Sequence, residues 1–271
     1  SYIVKDPTSN HCAIVDCVMD IDYAAGRITS VHADLLIQEI QSRGMVLDWI
    51  IETHVPADDL SAAPYLAKCF GAKVAIGSNI DAVQKAFGKV FNTDTDFQMS
   101  ASRLDHPFKD GERFDIGNMS VQVMHTPGHT PACVTYLIGD AAFIGDTLFM
   151  PDFGTARADF PGGSAKDLYQ SIQKILALPD QTRLFLCHDY KAPGRDAFCW
   201  QTTVADQKSR NIHVGGQKTE DEFVSFRTAR DAQLSMPKLI IPSIQVNMRA
   251  GNLPPADPDG SVYLKIPINK L

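Results

Sequence analysis

Four short segments, "ETHVPADD" (52–59), "TPGHTPA" (126–132), "IGDTLF" (144–149) and "LCHDY" (186–190), each follow an apolar or β-branched run and each carry residues able to bind a metal. The runs before them read as strands, so His54, His129, Asp146 and His188 fall where strands end. Strand ends opening on one crevice are where sites are usually built, because rigid sheets then aim side chains carried on loops. The pattern predicts sheets with the candidate ligands at their strand ends.

The surrounding pattern agrees. "SYIVKD" and "CAIVDCVMD" read as strands separated by the turn-prone "PTSN". "ITSVHADLLIQEIQSRG" reads as a helix, with Ala33, Leu36, Ile37 and Ile40 at the spacing of one buried face and Gly44 as a stop. A strand "LDWIIETH", a short helix "DLSAAPYLAKCFGA", a strand "KVAIGS" and a helix "NIDAVQKAFGKVF" follow. The middle is rich in short strands: "ERFDIG", "MSVQVMHTPG", "ACVTYLIG" and "AAFIGDTLF". "GGSAKDLYQSIQKILALPD" predicts a helix capped by Ser164, "TRLFLCHDY" a strand, and Thr219 with Glu222 a capping box that starts a late helix. Helices between strands and meanders in the centre suit two sheets covered by helices. The expectation is a single domain over 1–271, with a C-terminal helix and tail from about 215 packed on it.

Composition narrows the function. The chain has 271 residues, 25 Lys plus Arg against 32 Asp plus Glu, and a net charge of −7. Without a basic run, nucleic acid is not the expected partner. No stretch reaches the ~18 apolar residues of a membrane helix, and "SYIVKDPTSN" lacks the layout of a signal peptide. The six cysteines form no CxxC pairs, so reduced thiols and a cytoplasmic location are expected.

The four segments, in this order and at these spacings, resemble the signature of the metallo-β-lactamase superfamily over Ser1 to at least Tyr190. The resemblance implies an αββα four-layer sandwich of that type. The family's first segment reads His-x-His-x-Asp-His; here His54 and Asp58 match, while Pro56 and Asp59 replace two histidines. Pro56 offers no ligating atom, so the three-histidine pocket of a dinuclear zinc hydrolase is incomplete. His54, His129 and Asp146 remain. Two imidazoles and a carboxylate are the set that holds mononuclear non-haem iron with open positions for O₂ and substrate.

Persulfide dioxygenases of the superfamily look like this. The resemblance implies one Fe(II) per chain on His54, His129 and Asp146, with zinc as a possible substitute. Glutathione persulfide and O₂ would be substrates, sulfite and glutathione products. "GDTLFMPDFGTARADFPGG", "CHDYKAPGRD" and "VNMRAG" match further segments of that branch and of bacterial β-lactamase-hydrolase-like proteins. They would bring Arg157, Tyr190 and Arg249 near glutathione or the iron. An arginine suits a carboxylate because its guanidinium binds bidentately. Tyr190 and Asp189 are the catalytic candidates, Asp189 and His188 orienting ligands and bound water. Asp58, Asp59 and His188 are residues of a second metal position or supports of the first. Likeness to the family suggests a homodimer.

Two other readings stay open: a glyoxalase II-like thioesterase using Asp58 and His188, and a metal-poor protein disabled at Pro56 and Asp59. Proline fixes φ and removes an N–H in the loop that aims His54. His11, His32, His106 and His213 have no accompanying ligands and are expected to be structural; His125, just before the His129 loop, could support a ligand, but a structural role is favoured. Cys133 is expected to be a buried structural thiol.

Overall fold

Asp16 interrupts what the sequence presents as one β run. Its backbone turns left-handed (φ 51°), dividing "CAIVDCVMD" into β2 (His11–Val15) and β3 (Val18–Asp22). A computed structural model describes residues 1–92 and 104–271, and contacts divide the chain into two units. Unit 1 comprises Ser1–Phe108, Ile116–Asn118 and Ser235–Leu271; unit 2 comprises Lys109–Asp115 and Met119–Leu234.

Unit 1 is built on a five-stranded sheet. Strands β1 (Tyr2–Lys5), β2, β5 (Val46–Ile51), β7 (Lys73–Gly77) and β8 (His106–Phe108) lie in that spatial order. Only the β1–β2 pair is antiparallel; β2–β5, β5–β7 and β7–β8 run parallel. Parallel neighbours need crossovers, which α1 (Val31–Ser42), α2 (Ala63–Phe70) and α3 (Ile80–Phe91) supply. Ala33 and Ile40 of α1 are buried with Ile14, Ile50 and Leu66, and Leu36 and Ile37 pack against them, the face that the periodicity predicts. The helix starts later than expected. Ile28 and Thr29 join β4 (Arg27–Thr29), which pairs with β3, as suits β-branched residues. A small third sheet, β4-β3-β6, ends in β6 (Leu60–Ser61). Helix α7 (Ile240–Asn247), which includes Pro242 in its first turn, also belongs here. A proline in a helix's first turn removes no intrahelical bond.

Unit 2 carries a six-stranded sheet in the order β14-β13-β12-β11-β10-β9. It holds β9 (Arg113–Ile116), whose last residue falls in unit 1, with β10 (Met119–His125), β11 (Val134–Ile138), β12 (Ala141–Phe143), β13 (Arg183–Phe185) and β14 (Gln201–Thr203). β12 and β13 are parallel; β10–β11, β11–β12 and β13–β14 are antiparallel. Helix α4 (Ala165–Leu176) connects the parallel pair and buries Leu168, Ile172 and Ile175. The Ser164 hydroxyl accepts from Asp167 N–H at 3.1 Å, the expected cap. Helices α5 (Val204–Arg210), which the sequence reading missed, and α6 (Glu220–Asp231), with its capping box, complete the unit. Among the described residues no helix is long and apolar enough to cross a membrane.

His213 is one of the structural histidines. Its Nδ1 accepts from Thr155 N–H at 2.9 Å, and a Cβ on Gly154 would fall 2.2 Å from that atom. Burial, then Arg227, Arg230 and Lys218, push its pKa down to about 3. The unfolded chain takes up a proton near pH 6.5 while the folded one refuses it. His213 therefore removes stability as pH falls from about 6.5 towards 3, by up to about 1.4 kcal/mol per pH unit. Denaturant titrations of the wild type and His213→Gln between pH 7 and pH 4 should differ in slope by nearly one proton. Parallel curves would show that His213 is not buried neutral.

Candidate functional site

In unit 1, the first candidate ligand lies just beyond the end of β5. Glu52, Thr53 and His54 follow Ile51, and all three are buried. Asp16 holds this end by accepting from Thr53 N–H (2.7 Å) and from Thr53 Oγ1 (3.1 Å). With its single hydrogen given to Asp16, Thr53 Oγ1 faces His54 Nδ1 at 2.9 Å as an acceptor. His54 thus carries its proton on Nδ1 and keeps the Nε2 lone pair. That is the ligating tautomer, set by a carboxylate acting through a hydroxyl. The break at Asp16 is the structural cost of placing that carboxylate. Glu52, behind the histidine, accepts from Ser61 Oγ at 2.6 Å and from Cys17 Sγ at 3.5 Å. Burial and the charge of Asp16 hold it well above the usual carboxylate range. Asp58 and Asp59 lie further along the loop, half-buried, beyond the buried Val55 and Ala57.

In unit 2 the "TPGHTPA" loop presents His129. Its Nδ1 lies 2.8 Å from the Arg157 carbonyl oxygen. A carbonyl only accepts, so here too the proton is on Nδ1 and the lone pair on Nε2. Gly128 (φ 140°) makes the presentation possible, since a Cβ there would meet the Leu168 backbone nitrogen at 2.2 Å. The start of α4 grips the loop: Ser164 N–H donates to the Gly128 carbonyl (2.8 Å) and Ser171 Oγ to the Pro127 carbonyl (2.6 Å). Cys133 Sγ closes the turn through Thr130, as a structural thiol.

Asp146 follows β12 and the left-handed Gly145. One carboxylate oxygen accepts from His188 Nδ1 at 2.8 Å; the other lies 3.9 Å from His129 Nε2. Metal bonds to imidazole nitrogen and carboxylate oxygen are each about 2.1 Å, so one ion can bridge atoms up to roughly 4.2 Å apart. The donors of unit 2 suit a divalent ion: a neutral imidazole lone pair on His129 beside the carboxylate of Asp146, both residues buried. His188 is positioned by Asp146 in the same Nδ1–H state.

The remaining predicted residues take up distinct places. Asp189 is committed to its own loop. It pairs bidentately with Arg195 (2.5 and 2.7 Å) and accepts from Cys199 N–H and Lys191 N–H. Arg195 holds its pKa down at about 2. Tyr190 is half exposed and packs on Phe153, Phe149 and His188, at ring distances of 4.9, 5.3 and 5.7 Å. Arg157 forks onto Asp159 (2.6 and 2.8 Å) and lies over Phe160. Its backbone carbonyl, which no side-chain motif reveals, aims His129. Arg249 is buried in unit 1 and donates to the Gln245 carbonyl. His11 and His32 bind Asp48 and Asp20, and His106 packs on Phe108.

A protein-family model described as "Metallo-beta-lactamase superfamily" matches residues 1–188. A probable metallo-hydrolase of Burkholderia pseudomallei is 49% identical, over 100% of this chain and 95% of its own. A β-lactamase hydrolase-like protein of Agrobacterium fabrum is also 49% identical over the whole chain, which spans 62% of that relative's length. The human mitochondrial persulfide dioxygenase ETHE1 is 26% identical over 93% of this chain and 84% of its own. The crystal structure of ETHE1 from Myxococcus xanthus superposes with a TM-score of 0.74 at 28% identity, covering 93% of each chain. The mixed α/β arrangement of sheets and helices is therefore the metallo-β-lactamase fold, and the chain belongs to the metallo-β-lactamase superfamily.

Proposed function

We propose that the protein is a mononuclear iron persulfide dioxygenase, converting glutathione persulfide, O₂ and water to glutathione and sulfite. The observation that carries this reading is the donor set. His54 and His129 each donate Nδ1–H to a fixed acceptor, which puts the lone pair on Nε2, and Asp146 supplies one carboxylate. His54, His129 and Asp146 would hold the iron. Pro56 and Asp59 stand where a dinuclear enzyme of the family places histidines, and a three-residue site needs neither. Likeness to a persulfide dioxygenase at 26% identity supports the reading.

Bound iron(II) would supply redox chemistry and open positions for O₂ and the terminal persulfide sulfur. The protein's part is orientation. Asp16 through Thr53 and the Arg157 carbonyl keep both imidazoles neutral and aimed. His188 donates to one Asp146 oxygen and leaves the other for the metal. Tyr190, half exposed, would offer its ring for glutathione to pack on. Arg249, 4% exposed and donating to the Gln245 carbonyl, would reach a glutathione carboxylate only if the segment around it opened. Arg157 would do so only by exchanging Asp159, so its main role is assigned to its carbonyl.

A second reading, a glyoxalase II-like thioesterase, is favoured by the 49% identical relative named a metallo-hydrolase and by Asp58 and His188. Oxygen consumption decides between them. Protein loaded anaerobically with iron(II) is expected to take up about one O₂ per glutathione persulfide, and to need His54. No uptake with iron bound, together with thioester hydrolysis by the zinc form, would replace the dioxygenase with the hydrolase.

A further inference from the structure

The loop after His54 is held by one side chain from the far end of the chain. Asn247, the last residue of α7, is 4% exposed. Its Nδ2 donates to the Pro56 carbonyl (2.9 Å) and to the Asp59 carbonyl (2.8 Å). Its Oδ1 accepts from Ser61 N–H at 2.8 Å. Both amide hydrogens and the amide oxygen are thus spent on one short loop, and only a primary amide offers two donors and an acceptor together. Aspartate would keep the acceptor and lose both donors.

The seat of α7 is equally specific. Gln84 Nε2 donates to the Met248 carbonyl at 2.8 Å. Gly251 (φ 82°) has no room for a side chain, since a Cβ would lie 2.6 Å from Pro64 Cδ and 2.9 Å from the Ser61 carbonyl. The "NMRAG" segment is pressed onto the far end of the same loop. Pro56 brings no N–H of its own to this loop, and its carbonyl is one of the groups Asn247 takes.

We infer that Asn247 is a positioning residue for the 54–59 loop. It sets the placement of His54, Asp58 and Asp59 towards a metal, and so tolerates Pro56 inside the loop. This rests on the reading above in one respect, that His54 binds a metal. The distinction to be tested is between positioning and simple anchorage of α7, which the Gln84–Met248 bond also provides.

Cobalt(II) is the probe, with affinity read by chelator competition and geometry by the visible d–d bands, on wild type, Asn247→Ser, Asn247→Asp and Gln84→Leu. All are compared at equal margins below their unfolding midpoints. Loss of a group supporting a metal ligand typically costs 10–100-fold in metal affinity. Asn247→Ser is expected to lose that much and to shift the bands, whereas Gln84→Leu keeps wild-type affinity and spectrum. Should the serine variant fail to fold, Asn247→Asp carries the comparison, because it retains the acceptor for Ser61 N–H. Equal cobalt affinity across the Asn247 and Gln84 variants, weakened or not, overturns the inference. If the wild type binds no cobalt, the metal reading itself fails, and amide exchange at Asp58, Asp59 and Ser61 decides. Faster exchange confined to the Asn247 variants upholds loop positioning, and the same rate in all of them removes it.

Discussion

Asp146→Asn is expected to release the metal while leaving the protein folded, with affinity for iron(II) or cobalt(II) falling by more than about 100-fold. The bound is set by the 10–100-fold cost of losing a mere supporting partner of a ligand; losing the ligand itself costs more. The substitution isolates charge from shape. An asparagine oxygen can still accept from His188 Nδ1–H, so the 2.8 Å contact survives. The second oxygen, 3.9 Å from His129 Nε2, becomes a neutral amide group and a poor partner for a divalent cation. The metal-free variant should therefore unfold within about 1–2 kcal/mol of the wild type, as expected for an isosteric change that keeps the hydrogen bond. Bound metal per chain and O₂ uptake should fall together. A variant that keeps stoichiometric iron would show that Asp146 is not a ligand, and the dioxygenase reading would fall with it.

Much of this geometry was legible in the sequence, and the limits have physical reasons. The candidate segments stand out because strand-end histidines and carboxylates sit beside turn residues that a local pattern exposes. Helix α4 was legible as well, since Ser164 and the Leu168–Ile172–Ile175 face follow short-range rules. What aims the ligands was not. Asp16 reaches Thr53 across 37 positions and through a left-handed turn, and no periodicity encodes such a pair. Arg157 acts on His129 through its backbone carbonyl, so attention to its guanidinium misses its clearest contact. Asp189 reads as a catalytic candidate that orients ligands and bound water, yet its oxygens are taken by Arg195 and two backbone N–H groups. Pro56 reads as damage to the loop, while its carbonyl is bound by a side chain from α7. In each case the deciding partner is distant in sequence or is a main-chain atom.

The largest loss of stability is expected from Arg227→Ala. In sequence, Arg227 and Asp231 look like an exposed i, i+4 pair on α6, worth a few tenths of a kcal/mol. In the fold they are 1% and 4% exposed, with Nη2 and Oδ1 2.6 Å apart. Burial lowers the Arg227 pKa, and Asp231 opposes that shift. The second Asp231 oxygen accepts from Ala158 N–H (2.9 Å), and Arg227 Nη1 donates to the Thr155 carbonyl (3.2 Å). Removing the guanidinium strands a buried carboxylate, at a cost of about 3–5 kcal/mol. For a chain of this size that is roughly a 6–20 °C fall in midpoint. The pair also brackets Arg157, whose carbonyl aims His129, so residual folded protein should bind metal more weakly. Replacing both partners, as Arg227→Met with Asp231→Leu, removes the stranded charge and should recover most of the stability. It also leaves Ala158 N–H without its acceptor, an unsatisfied buried group costing about 1–3 kcal/mol. The double variant is therefore expected to be more stable than Arg227→Ala but short of wild type. Thermal and denaturant midpoints test that order, and a double variant as unstable as Arg227→Ala would show that the hydrogen bond to Ala158, not the buried charge, dominates.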